Sequence, residues 1–337
     1  MTSDSAKLTG STSESLVSFS NVEGAADRIR NVASMTPLLR STVLDQRTGA
    51  TVLIKAENLQ RSGSFKFRGA YNCLSQIPAD KCGNGVVSCS SGNHAQGVAA
   101  SADLLGIPAT IIMPSDAPQI KLERTKGYGA KVVTYDRAKE NREAIAEWIG
   151  AETNATFVHP YNDPAVIAGQ GTVGLEMVAH AKELGCDFDD VFVSTSGGGL
   201  SSGIALVLAE RSPTTKLHTV EPAGFDDYKR SLEAGARLAN PSKSGSICDA
   251  LLSESPGEIG FSILNQLAGA GVTVTDDEVL HAVAFAFTEL KLVVEPGGAA
   301  ALAAVLFGKF PIEGKTIGLV LTGGNIDPRM LLKAVDR

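Results

Sequence analysis

No apolar run in this sequence is long enough to cross a bilayer. The longest, Ala299 to Phe307, has nine residues, where a spanning helix needs about 20. Cysteine is scarce and odd in number, with Cys73, Cys82, Cys89, Cys186 and Cys248 and no C-x-x-C pair. Neither a disulfide framework nor a thiolate metal site is expected, and a reducing, cytoplasmic setting fits. Cys89 and Cys248 are read as small core fillers. Five scattered histidines include no H-x-x-x-H pair, so no zinc site is expected. Basic charge is also short: 37 acidic against 30 basic side chains leave a net charge of −7. That balance gives no global field to gather nucleic acid or an anionic membrane, and points instead to a small substrate or a protein partner. Residues 1–20 contain neither Arg nor an apolar run, unlike a secretory or mitochondrial leader, and are expected to be a loose tail.

What is abundant is glycine, at 35 residues, with aromatics at only 5%. The composition suits an Ala/Val/Gly-rich α/β protein with an aliphatic core and, at 337 residues, two domains. Short β-branched runs at 52–55, 85–88, 109–113, 131–135, 156–160, 191–195, 216–220, 272–275 and 316–321 predict strands. Helices are predicted between them, including 92–104, 120–128, 139–148 and 164–184. This alternation implies mostly parallel sheets covered by helices on both faces, with binding sites at the carboxyl ends of the strands. Three strand ends run into polar or glycine-rich loops: SCSSGNH (88–94), STSGGGLSSG (194–203) and LTGGNID (321–327). Residues 236–255 read as an irregular surface excursion that could reach back into a cleft.

In the second loop, Ser196, Gly197, Gly198 and Gly199 precede an apolar helix opening at Leu200. Successive glycines aim backbone N–H groups at one point, at the positive end of a helix, which makes an anion site; a tight turn without ligand is the plainer reading. Neither a G-x-x-x-x-G-K-[ST] loop nor a dinucleotide fingerprint is present. Lys66 lies between Phe65 and Phe67. Such a lysine is commonly a snorkelling surface residue, but a desolvated one has a lowered pKa and can hold a carbonyl as a Schiff base. At Ser90, Ser91, Gly92, Asn93 and His94 a strand-to-helix turn offers exposed amides suited to a substrate carboxylate; for Ser91 a helix cap is the alternative.

SGSFKFRGA, SSGNHAQGVA, HPYNDPAVIAGQGTVGLE, SGGGL, VEPGGAA and LTGGNID occur in that order. Together, from about Thr36 to the C-terminus, they resemble the pyridoxal-phosphate enzymes of fold type II, and within them the serine/threonine dehydratase and serine racemase group. The resemblance implies two α/β domains with mostly parallel twisted sheets, like the β subunit of tryptophan synthase. Residues 85–162 would be a small mobile domain, and 1–84 with 163–337 the large cofactor-binding one.

It also implies that Lys66 bonds to pyridoxal phosphate and that Ser196, Gly197, Gly198, Gly199 and Leu200 hold the cofactor phosphate, with Ser196 departing from the family's glycine. Asn93 would hydrogen-bond the ring oxygen, Phe65 pack beside the ring, and Thr322 face the pyridine nitrogen. Glu295 matches a glutamate near the ring, although a helix cap reads equally well locally. Ser91 matches the racemase hydroxyl that exchanges a proton on the face opposite Lys66. Glu221, the Phe225 carbonyl and Asp227 resemble a site for Mg²⁺, Mn²⁺ or Ca²⁺, since hard oxygen ligands suit these ions.

The reaction so implied is elimination of water from a 3-hydroxy amino acid, giving a 2-oxo acid and ammonia. L-threonine, L-serine and 3-hydroxyaspartate compete as substrates, the last slightly favoured. A distal carboxylate would need a cationic partner, for which Arg68, Lys121 and Arg124 are candidates. The chain has no room after LTGGNID for a regulatory module. An amino-acid racemase using Lys66 and Ser91 is the alternative enzyme, and a cofactor-binding regulator the non-catalytic one. A homodimer is expected from the resemblance.

Overall fold

The computed structural model describes residues 16–336 apart from 91, 118, 137 and 138. Ten strands form two sheets: β1 (Leu38–Arg40), β2 (Thr51–Ala56), β3 (Val86–Cys89), β4 (Ala109–Pro114), β5 (Lys131–Tyr135), β6 (Thr156–Phe157), β7 (Asp190–Ser194), β8 (Lys216–Pro222), β9 (Ala268–Val274) and β10 (Thr316–Leu321). The larger sheet has the order β1-β2-β10-β7-β8-β9 and the smaller β5-β4-β3-β6. All pairs are parallel except β1 with β2. The α/β class and the parallel sheets agree with the expectation.

Both faces of the larger sheet are covered. Helices Asp276–Thr288 and Pro296–Leu306 pack on one side with Val52, Ile54, Phe192 and Leu319. Helices Pro164–Glu183 and Gly199–Arg211 pack on the other with Leu53, Val191 and Val193. Adjacent residues along β2, β7 and β10 thus face opposite cores, which is why these strands are unbroken apolar runs rather than alternating ones. The Ala-rich helix is buried from Pro296 through Val305, small side chains letting it sit close to its neighbours.

Local signals set the helix starts. Asp163 accepts the Val166 amide, with Pro164 at the first helical position, and Thr275 and Glu278 form a capping box. The third predicted helix, 139–148, instead runs Arg142–Thr153, its Trp148 exposed. The predicted strand 272–275 begins earlier, at Ala268. Of the expected tail, residues 1–15 lie outside the described residues, while Phe19–Ile29 is a helix that buries Val22, Ala25 and Ile29. No described helix is long and apolar enough to cross a membrane.

A buried charge cluster ties the start of helix Lys66–Leu74 to the rest. Arg68 donates from Nε and Nη2 to both Glu57 carboxylate oxygens, each at 2.8 Å. Its other contacts reach Glu176 at 2.6 and 2.9 Å, and Lys55 Nζ donates to Glu176 at 2.6 Å and to the Thr36 carbonyl. Two cations and two carboxylates balance, and Arg68 has no exposed surface. Arg68 is therefore not a substrate-binding cation, correcting that expectation: both its carboxylate partners are within the protein. Removing one member of such a cluster leaves a buried charge unpaired. Arg68→Leu is expected to cost roughly 3–5 kcal/mol, measured as a loss in denaturant unfolding free energy.

Candidate active site

The site lies where the carboxyl ends of β3, β7 and β10 meet four helix N-termini. The Phe65 amide donates to the Thr322 carbonyl at 3.2 Å, and Ser64 bridges Gly323. Together these hold the turn before Lys66 against the end of β10. Helix Asn93–Leu105 approaches closely, with room at Gly97 for little beyond the Lys66 and Phe67 backbone.

Lys66 opens helix Lys66–Leu74 and is half-buried. Its Nζ donates to the Pro160 carbonyl at 2.7 Å and lies 5.1 Å from the Phe65 ring centroid. Burial lowers its pKa to about 8, because no carboxylate compensates for the lost water. A much larger share of neutral, nucleophilic amine is then present near neutral pH than in an exposed lysine.

Next to Pro160 in the chain, Tyr161 packs against the loop 194–199. The Gly197 carbonyl accepts from the Gly257 amide at 3.1 Å and from the Tyr228 hydroxyl at 3.2 Å. Ser202 donates to the Gly198 carbonyl from both amide and hydroxyl. With these carbonyls drawn outward, the amides of Ser196, Gly197 and Gly198 donate to no protein acceptor among the described residues. Gly198 has φ +88°. A Cβ there would overlap the Tyr228 hydroxyl, and one on Gly197 would overlap the Tyr161 ring. These unpaired amides stand at the start of helix Gly199–Arg211, where the helix end favours an anion. Tyr161, Tyr228 and Gly257, which shape the loop, carried no recognisable signal in the sequence.

On the third side, Asn93 Nδ2 donates to Glu295 Oε1, and Asn325 Nδ2 donates to Asn93 Oδ1 at 2.8 Å. The Asn93 amide is fixed at both ends. Glu295 is buried, its pKa raised to about 7 chiefly by desolvation. Although Glu295 stands at the N-cap of helix Pro296–Leu306, its side chain makes no capping bond, so the cap reading is corrected in favour of contact with Asn93. Thr322 is buried at the end of β10.

The turn at Ser90 and Gly92 is held by the Ser90 amide on the Ile112 carbonyl and the Gly92 amide on Ser90 Oγ, at 3.1 and 3.2 Å. His94 is buried, its Nε2 3.2 Å from the Val158 carbonyl, and burial lowers its pKa to about 3. It is a neutral ring that shapes the turn. Ser91, expected as a second catalytic group, lies outside the described residues. Lys121 Nζ stands 3.8 Å from the position of a Gly92 Cβ and donates to Asp249 Oδ2 at 2.6 Å. Arg124 instead donates to Asn325 at 2.8 Å and lines a surface cavity of about 700 Å³ with Tyr128 and Lys291. Of the three candidate cations, only Lys121 reaches the turn.

The excursion 236–255 does fold back. Besides Asp249, its Ser253 meets the glycine loop, with Ser196 Oγ to Ser253 Oγ at 2.7 Å. Beyond it, Glu221 and Asp227 are both buried. Glu221 accepts the Tyr228 and Lys229 amides at 2.8 and 2.9 Å, Asp227 accepts Asn240 Nδ2 at 2.6 Å, and Asp227 Oδ2 is buried with no partner. Desolvation raises both carboxyls, Asp227 to about 6, and mutual repulsion adds to the rise in Glu221. Phe225, the third expected member, is buried beside them in sequence. No group of three or more His, Cys, Asp or Glu side chains suited to a metal occurs among the described residues, so an ion here would need main-chain or water oxygens. No disulfide forms among the described residues, and Cys89 and Cys248 are buried.

Residues 29–323 match the family described as pyridoxal-phosphate dependent enzyme. The chain belongs to that family. It is 42% identical to the L-threo-3-hydroxyaspartate ammonia-lyase of Pseudomonas sp over 93% of this chain and 96% of that one. It is 40% identical to the serine racemase of Schizosaccharomyces pombe over 93% and 95%. The structure of maize serine racemase superposes with a TM-score of 0.89 at 34% identity, covering 95% of this chain and 97% of that one. The family implies pyridoxal phosphate, and the residues fit it: an amine of lowered pKa faces free amides at a helix start, the two ends of a phosphorylated aldehyde.

Competitive acetylation of the protein without cofactor across pH 6–11 is expected to titrate Lys66 near 8, while exposed lysines follow about 10.4. Titration of Lys66 with the others would contradict the burial described.

Proposed function

We propose that this protein is a pyridoxal-phosphate-dependent ammonia-lyase that eliminates water from a 3-hydroxy amino acid, with 3-hydroxyaspartate the favoured substrate. The observation that carries this reading is Lys66, its pKa lowered to about 8, opposite the unpaired amides of the glycine loop. Identity of 42% to a hydroxyaspartate ammonia-lyase supports the substrate class.

Lys66 would hold the cofactor aldehyde, the amides at Ser196 to Leu200 its phosphate, and Phe65, Asn93, Glu295 and Thr322 would surround the ring. When bound, the cofactor supplies the electron sink for carbanion chemistry at Cα. Ser90, Gly92, Asn93 and His94 present the turn for the substrate α-carboxylate, and the ammonium of Lys121 adds positive charge there. Lys66 Nζ, once freed, takes the Cα proton, and the Pro160 carbonyl orients that nitrogen. The Cα–H and Cβ–O bonds break, the hydroxyl leaves as water, and hydrolysis of the resulting enamine releases ammonia and a 2-oxo acid. Residues 85–162, which carry Asn93 and Lys121, form in this reading the smaller domain that closes over the substrate.

Glu221, Asp227 and the Phe225 carbonyl are proposed as a Mg²⁺ site, with Mn²⁺ and Ca²⁺ as competitors. The unpartnered Asp227 Oδ2 supports it, since two buried carboxyls require a proton or a cation between them. A homodimer is the proposed assembly, with exposed Leu59 and Val293 as apolar surface for it. A racemase using Lys66 and Ser91 is the second reading, favoured by the 40% identity to a serine racemase.

Ammonia and 2-oxo acid release from L-threo- and erythro-3-hydroxyaspartate, L-threonine, L-serine and D-serine tests the proposal. The expected outcome is highest kcat/KM on a hydroxyaspartate, and loss of at least a thousandfold in Lys66→Ala, which removes both cofactor attachment and the base. D-serine formed faster than pyruvate would favour the racemase instead.

The cation has its own test. The raised carboxyls hold more protons when folded than when unfolded; the stabilising contribution of Asp227 is complete below about pH 4 and lost as pH rises through about 6, and Glu221, also raised, acts in the same direction. Mg²⁺ is therefore expected to raise Tm at pH 7.5 and to do little at pH 5, where protons already fill the pair.

A further inference from the structure

The cation beside the turn at Ser90 to His94 is already occupied. Lys121, on helix Gln119–Gly127, donates from Nζ to Asp249 Oδ2 at 2.6 Å. The two ends of this pair differ in their access to water, the lysine side chain being 10% exposed and the aspartate side chain 53%. Asp249 opens the short helical turn Asp249–Leu251, which is anchored by buried Cys248 and Leu251 and by the contact of Ala250 with Gly297. The main chain there is fixed, while the carboxylate at its edge can swing into solvent. Neither side chain has a second hydrogen-bond partner among the described residues. An ammonium carries three protons, so two remain for an incoming acceptor.

The position of Lys121 limits what that acceptor can be. Its Nζ is 3.8 Å from where a Gly92 Cβ would stand, beside the turn rather than among its amides. A substrate with its α-carboxylate on the turn therefore touches Lys121 only through a second anionic group. Arg68 is closed within its own cluster and Arg124 is held by Asn325, so neither competes for that group. Two carboxylates on one ammonium repel each other. The half-exposed one regains water on leaving, at the low cost typical of exposed ion pairs. We propose that Lys121 binds the second carboxylate of a dicarboxylic substrate, and that Asp249 is a specificity-determining residue that holds the ammonium until this carboxylate displaces it. The inference rests on the substrate class proposed above and deepens it. A 3-hydroxy amino acid with a neutral side chain has nothing to exchange with Asp249 and leaves the pair closed. Discrimination then arises from the exchange of one carboxylate for another.

The test is calorimetric titration of the holoenzyme with succinate and with butyrate, which share a four-carbon chain and differ in the second carboxylate. Wild type is expected to bind succinate at least about fivefold more tightly, the lower end for a hydrogen bond between charged groups after Asp249 is displaced. Lys121→Met, which removes the ammonium, should abolish this preference. Asp249→Asn, which removes the competing charge, should tighten succinate binding and lower KM for 3-hydroxyaspartate by about two- to fivefold, the range for an exposed pair. Butyrate affinity and KM for L-serine should change by a smaller factor. Asp249→Glu, which restores a carboxylate, should return succinate binding toward the wild-type value. The two Asp249 variants lie at an exposed position and decide the matter even if Lys121→Met does not fold.

Equal affinity of the wild type for the two acids, loss of both in equal proportion in Lys121→Met, or succinate binding that is unchanged or weaker in Asp249→Asn would each overturn the proposal. These affinities are measured without turnover, and ammonia release followed in parallel reports on the proposed function separately. Ammonia released while succinate binding ignores Asp249 removes this inference alone; succinate binding that follows Asp249 without ammonia from any hydroxy amino acid removes the proposed reaction alone.

Discussion

The pairing of Arg68 with Glu57 beneath the site is the constraint on which the rest of the geometry depends. A guanidinium without exposed surface must find its partners inside the protein. Glu57 gives it a two-pronged contact and Glu176 a second one. Because Arg68 is two residues beyond Lys66, this clamp fixes the rotation of the first helical turn and hence the direction of the lysine. It also binds that turn to helix Pro164–Glu183, whose preceding segment contributes the Pro160 carbonyl to Lys66 and the Tyr161 ring to the glycine loop. The acceptor for the amine and the wall of the anion cradle therefore belong to one stretch of chain, positioned by one buried ion cluster.

Around this frame, the two ends of the site are built by opposite electrostatic means. Lys66 is tuned by deprivation, its amine desolvated with no carboxylate nearby, which favours the neutral form. The glycine loop is tuned by orientation: outward carbonyls leave inward amides without partners. The first arrangement suits a nucleophile and base, the second an anion receptor. Glu295 stands between these regimes, buried enough to titrate near neutrality yet bonded to Asn93.

Much of this was legible in the sequence wherever function leaves a local chemical trace. SGGGL marks a turn with unpaired amides because a run of glycines lets the backbone curl before the helix. Lys66 stood out between two phenylalanines, and the β-branched runs marked nine of the ten strands, missing only the three-residue β1. What could not be read depends on distance along the chain. Arg68 looked available for substrate because its partners Glu57 and Glu176, 11 and 108 residues away, form no recognisable spacing pattern with it. Glu295 looked like a cap because Asn93 is 202 residues away. Strand β9 was foreshortened because its first half, Ala268 to Gly271, contains only alanine and glycine, and the ladder to β8 rather than side-chain preference makes it a strand. The links from Ser253 and Asn240 lie in an irregular segment, where periodicity offers nothing to read.

The acceptor that orients Lys66 is a main-chain carbonyl rather than a side chain. Substitution of Pro160 or of its neighbours leaves an oxygen of the same kind at that point in the chain, so the proton-handling pair is insulated from mutational drift. A side-chain acceptor at that point would be lost with a single substitution. The contact that turns the Lys66 amine is thus written into the path of the chain rather than into the identity of any one side chain.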